Sequence, residues 1–184
     1  MVETMKKDSW LTLIYKIPSE PSSKRVALWR RLKGLGAVYM QNGVCMLPKT
    51  DRLIRQAKLI ENDIIGMGGE VLLLDATAMD AGQQERVLER FTDERNDQYR
   101  EFIGQCEAFE AEIAKEFSKN KFTYAELEEE EAELQKLQRW LEKIRALDFY
   151  DAPLSSEASA WLDKCEALLD GYAQRVFEEQ NPNP

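Results

Sequence analysis

Leu11, Leu13, Tyr15 and Ile17 alternate with Thr12, Ile14 and Lys16, the period of a β-strand. Ile14 interrupts the polar set, which predicts a central strand covered on much of both faces. Pro18 stops it, and Ser19-Glu20-Pro21 signals a helix start, with Ser19 or Glu20 near the cap and Pro21 in the first turn. Val26, Leu28, Trp29, Leu32 and Leu35 then recur at helical spacing until Gly34 and Gly36 end the helix. Ala37-Val38-Tyr39-Met40 and Val44-Cys45-Met46-Leu47 read as short strands joined by Gln41-Asn42-Gly43, since Asn-Gly is the strongest short hairpin signal. Thr50 or Asp51 caps a second helix, with Leu53, Ile54, Ala57, Ile60, Ile64 and Ile65 as its apolar positions. Gly66-Met67-Gly68-Gly69 ends that helix, and Val71-Leu72-Leu73-Leu74 reads as a buried strand.

The order β-α-β-β-α-β predicts a ferredoxin-like domain over residues 9–76, a four-stranded antiparallel sheet with both helices on one face. From Asp80 the period changes. Val87, Leu88, Phe91, Tyr99, Phe102, Cys106, Phe109, Ile113 and Phe117 lie mostly three or four apart, which predicts one long helix to about Ser118. Thr123 opens a second helix, with Glu126 placed for a capping box and Leu127, Leu134, Leu137, Leu141 and Ile144 as its stripe. Ser155 or Ser156 opens a third, with Trp161, Leu162, Cys165, Leu168, Leu169, Tyr172 and Val176 facing inward. The helical domain covers residues 80–180, an antiparallel three-helix bundle or arm, and the fold class is α+β. Residues 1–8 are polar and expected to fray, and Gln180 to Pro184 reads as a tail.

A hydrophobic fraction of 43% suffices for a core, and a charged fraction of 32% points to long solvated helices rather than disorder. No apolar run approaches the ~20 residues of a membrane helix, and no signal-peptide segment precedes Ser9, so no membrane partner and a cytoplasmic location are expected. Cys45, Cys106 and Cys165 are widely spaced and read as reduced, mostly buried thiols. The sequence has 0 histidines, which removes the commonest general base, zinc ligand and triad partner and lowers the case for an enzyme. No cofactor or metal is expected.

Charge is uneven along the chain. Residues 1–76 carry 12 Lys/Arg against 8 Asp/Glu, a net of +4, and residues 77–184 carry 13 against 26, a net of −13. Contact with a polyanion, if the chain makes one, is expected in the first part. Its candidates are Lys24, Arg25, Arg30, Arg31 and Lys33 on the first helix. Three readings of them stay open. They are exposed residues paired with the acidic part, or contacts to a nucleic-acid backbone, or, with Ser22, Ser23, Lys24 and Arg25 at the helix start, a small-oxyanion site. Glu128 to Glu131 reads as a solvated helix face, and Gly66 to Gly69 as a turn rather than a phosphate loop, because it follows a helix.

Several stretches resemble the N-terminal domain family of the chromate-resistance regulator ChrB. They are Tyr15-Lys16-Ile17-Pro18, Pro21-Ser22-Ser23-Lys24-Arg25-Val26, Trp29-Arg30-Arg31-Leu32-Lys33, Leu35-Gly36-Ala37, Gly43-Val44 and Leu47-Pro48. Later stretches are similar too, among them Tyr99-Arg100-Glu101-Phe102, Gln105 to Phe109, Lys121-Phe122-Thr123, Ala125 to Glu129 and Trp140-Leu141. The resemblance implies a non-enzymatic transcriptional regulator of chromate resistance acting on promoter DNA. Full-length members carry a further C-terminal domain, so it also implies a stand-alone form lacking that domain. More distantly, the strand-helix-hairpin pattern is similar to the phenylacetate-pathway repressor and to the small CRISPR spacer-acquisition nuclease. Where those relatives end the first strand in an aspartate this chain has Lys16, and a cation cannot ligate a metal, so no metal-dependent nuclease activity is expected. The alternative function is a protein-interaction or structural module, a homo-oligomer such as a dimer, without nucleic-acid binding. An oxyanion sensor stands third.

Overall fold

The computed structural model describes residues 9–181, so the expected frayed start at 1–8 and the end of the tail at 182–184 lie outside the described residues. The elements are β1 (Ser9–Lys16), α1 (Ser22–Gly34), β2 (Val38–Gln41), β3 (Val44–Pro48), α2 (Asp51–Gly66), β4 (Glu70–Thr77), α3 (Ala81–Ser118), α4 (Tyr124–Arg145) and α5 (Ser155–Gln180). Among the described residues the fold is α+β, with one antiparallel four-stranded sheet in the order β2-β3-β1-β4 and five helices. The chain forms two compact units that divide inside α3, between Phe91 and Thr92.

In the first unit β1 is central and pairs with β3 and β4. Leu11 and Leu13 stand opposite Leu47 and Cys45, and all four are buried. α2 packs on β1 and β4 through Leu53, Ala57, Ile60 and Ile64, and α1 adds buried Leu28 and Leu32. Two expectations about the strands need correction. Ile14 is 40% exposed, and β4 is not a buried strand, since Leu72 and Leu74 are 59% and 44% exposed. Register explains this: Ile14 stands opposite Leu72, on the face away from Leu11 and Leu13, where an unbroken apolar run no longer means two-sided burial.

The first helix also starts later than its sequence signals suggest. Pro21 is the N-cap, in extended backbone at φ −77° and ψ 142°, so neither Ser19 nor Glu20 caps it. Val26 and Trp29, expected on its inner stripe, are 45% and 50% exposed. Thr50 caps α2 by accepting a hydrogen bond from the Leu53 amide at 3.2 Å.

In the second unit Tyr99, Phe102, Cys106, Phe109 and Ile113 of α3 share an apolar core with α4 and α5. Leu134, Leu137, Leu141 and Ile144 meet them from α4, and Cys165, Leu169, Tyr172 and Val176 from α5. Phe102 packs edge-on against Trp140 at 5.6 Å, within the range aromatic pairs prefer. Thr123 caps α4 by accepting from the Glu126 amide, while the Glu126 carboxylate takes a bond from Lys121 at 2.9 Å. One expectation fails here as well: Glu130, read as part of a solvated face, is 7% exposed. Burial first, then the charges of Glu112 and Glu116, push its carboxyl above the ordinary range.

Candidate functional site

At about 100° per residue, α1 has a definite set of faces once Leu28 and Leu32 point to the core. Arg25, Trp29 and Lys33, four apart, line one flank. Arg31 falls on the opposite flank and Arg30 between them, outward. The five candidate cations are therefore divided rather than gathered. Arg31 is tied to Asp63 of α2 in an ion pair. Lys33 lies over the Tyr39 ring at 5.8 Å from its centroid, a cation–π arrangement. Among the described residues, Lys24, Arg25 and Arg30 make no ion pair with a carboxylate.

The Arg25 flank is one wall of a groove of about 660 Å³. It is lined by Tyr15 of β1, by Ile17 just past that strand, and by Tyr39 of β2 with Asn42 and Gly43 of the hairpin turn. Val26, Trp29 and Lys33 complete the helix side. The hairpin is held close to β1 by the Tyr15 amide, which donates to the Gly43 carbonyl at 2.7 Å. A Cβ at position 43 would collide with the Tyr15 carbonyl, so the turn reaches the strand only with glycine there.

The Tyr15 and Tyr39 hydroxyls are hydrogen bonded at 2.7 Å. Burial raises the Tyr15 phenol above its ordinary value against the opposing effect of that bond, so it stays protonated near neutrality. Beneath them Cys45 is fully buried, and burial pushes its thiol up to about 12 in spite of the Lys33 charge. It is not a nucleophile at neutral pH. No Asp or Glu lines the groove, and no group of three or more His, Cys, Asp or Glu placed to hold a metal exists among the described residues. Among the described residues the groove thus offers two cations, three aromatic rings and one amide side chain, and no carboxylate pair for acid–base work.

Of the residues singled out in the sequence, Arg25 and Lys33 reach this groove. Lys24 borders a separate, much smaller depression with Ile17, Pro18, Glu20 and Met67. Ser22 and Ser23 are exposed in the first turn, and Arg30 is exposed outward. Lys24 and Arg25, joined in the small-oxyanion reading, therefore line different hollows. Tyr15, Trp29, Tyr39 and Asn42 were missed in sequence. The spacing Arg25, Trp29, Lys33 was a usable signal, but Trp29 also fits the core stripe.

The first unit, a sheet with helices and a cation-lined groove, and the helical second unit define a two-unit α+β protein with exposed cations on α1. The chain belongs to the family described as Protein ChrB, N-terminal, whose model matches residues 25–183. It is 27% identical over 166 residues to Protein ChrB of Cupriavidus metallidurans, an overlap covering 88% of this chain and 47% of that relative. The chain thus spans about half the length of the curated relative it matches. No described helix is long and apolar enough to cross a membrane.

Proposed function

We propose that this chain is a cytoplasmic, non-enzymatic regulator or DNA-associated accessory protein that contacts nucleic-acid backbone through α1. In this reading the segment 9–76 is a ferredoxin-like domain, a view the strand order supports, and 80–180 is a helical domain for packing and self-association. Membership of the ChrB family supports a regulatory role, and the part in chromate resistance rests on that kinship. The single observation that carries backbone contact is that Arg25 and Arg30 are exposed and free of carboxylate partners among the described residues. Lys24 joins them at the helix start, whereas Arg31, neutralised by Asp63, contributes less. Such contacts give affinity and salt dependence but no sequence choice.

A mobility shift with duplex from the upstream region of the protein's own operon tests this, against an unrelated duplex of equal length. Retardation of the operon duplex supports the reading, and its absence at low salt removes it.

A second reading, a homodimeric interaction module without nucleic acid, is favoured by the uncovered sheet row of Ile14, Leu72 and Leu74. Light scattering of the purified protein separates dimer from monomer. Lys24 and Arg25 line different hollows and Ser22 and Ser23 line neither, which disfavours an oxyanion sensor at the helix start.

A further inference from the structure

The groove beside α1 is chemically unlike the rest of the charged helix. Three rings from three different elements, Tyr15 of β1, Trp29 of α1 and Tyr39 of β2, line it with Arg25, Lys33 and Asn42, and among the described residues no acidic one does. A Trp left 50% exposed beside an arginine one turn away is a stacking surface next to a positive charge. The volume of about 660 Å³ is that of a small-ligand cleft.

Two ligand classes fit this poorly. A bare inorganic oxyanion would use the cations and leave three rings idle. A base-paired duplex would use the cations too, but its bases are stacked inside the helix and out of reach of Trp29. A ligand that satisfies both halves of the groove carries a planar ring and a negative group a few ångströms away.

We infer that this groove binds a nucleotide unit, with the base stacked on Trp29 and the phosphate held by Arg25, Lys33 adding to the field. Asn42 at the rim supplies an amide able to donate to and accept from a base edge. The same chemistry is presented by a free mononucleotide and by an unpaired nucleotide in a single strand, where base–aromatic stacking is the usual sequence-tolerant contact. The inference goes beyond backbone contact through α1; the two share Arg25, and Trp29 inside the groove and Arg30 outside it tell them apart.

The test titrates the full chain with fluorescein-labelled AMP and with a labelled single-stranded oligodeoxythymidylate, read by anisotropy. Unlabelled adenosine and inorganic phosphate serve as competitors. The expected result is saturable binding of at least one probe, competed at least tenfold better by AMP than by adenosine or phosphate. Trp29→Ala and Arg25→Ala each weaken it about tenfold or more. Trp29→Phe restores part of the loss, and Lys58→Ala, an exposed cation of α2 outside the groove, leaves it unchanged. Binding of labelled AMP without the oligonucleotide identifies a free nucleotide as the source, and binding of the oligonucleotide that AMP displaces at least tenfold better than phosphate does identifies a strand; both support the site. Leu28 and Leu32, not Trp29, fill the core under α1, so Trp29→Ala should keep its fold, checked by circular dichroism and melting. No binding of either probe overturns the inference. So does undiminished binding in folded Trp29→Ala, or phosphate competing as well as AMP. A failed duplex shift with intact nucleotide binding strikes the regulatory reading alone, and the converse strikes the groove alone.

Discussion

A side chain at position 43 would run into the Tyr15 carbonyl, and the backbone there already sits at φ +73°. Gly43→Ala therefore carries both a left-handed strain and a collision with main chain that has no rotamer to yield. The expected cost is about 1–3 kcal/mol, read as a lowered urea midpoint with circular dichroism. It should also loosen the groove, because the turn bearing Asn42 is pinned by that approach. An unchanged midpoint would show that the hairpin has another way to lie on β1. The glycine was legible as a turn residue from Asn42-Gly43. Its contact with Tyr15 was not, because only strand pairing brings residues 15 and 43 together. The basic side chains were likewise visible in the sequence. Their division by α1 into a groove flank, an outward Arg30 and an Asp63-bound Arg31 follows from which residues bury, and that depends on the sheet.

Elements with strong local signals came out as expected: the Thr123 cap, the hairpin turn at Asn42-Gly43, with Gln41 now in the strand, and the helix that ends at Ser118. Elements whose environment is decided at a distance did not. Val71 to Leu74 is apolar throughout, but a strand at the sheet edge with one covered face leaves Leu72 and Leu74 in water. Glu130 sits in a run of four glutamates, and nothing local distinguishes it from its solvated neighbours. Packing against α3 does, with Gln105, Ala108, Phe109 and Glu112 around the same hollow. Its raised pKa has a definite sign in stability. The folded state binds the proton more tightly than the unfolded chain, so stability is lost as pH rises from about 4.5 through the folded pKa. Glu130→Gln should therefore raise the urea midpoint at pH 7 and change it little below pH 4.5. A lower midpoint at pH 7 would mean that the charged form is stabilised by partners after all.

At the scale of the whole molecule the net charge is −9, which repels nucleic acid in general. Any binding must then come from a local patch that outweighs the sum, and the carboxylate-free cations of α1 are the candidate. A patch of this kind has a thermodynamic signature: each phosphate neutralised releases counterions, and log K falls with log salt by about 0.9 per contact. The most direct measurement is that slope for operon duplex, for the native chain and for Arg25→Ala with Arg30→Ala. Loss of both contacts should flatten the slope by about 2 and weaken binding at every salt concentration. A slope identical in the two proteins would contradict contact through α1.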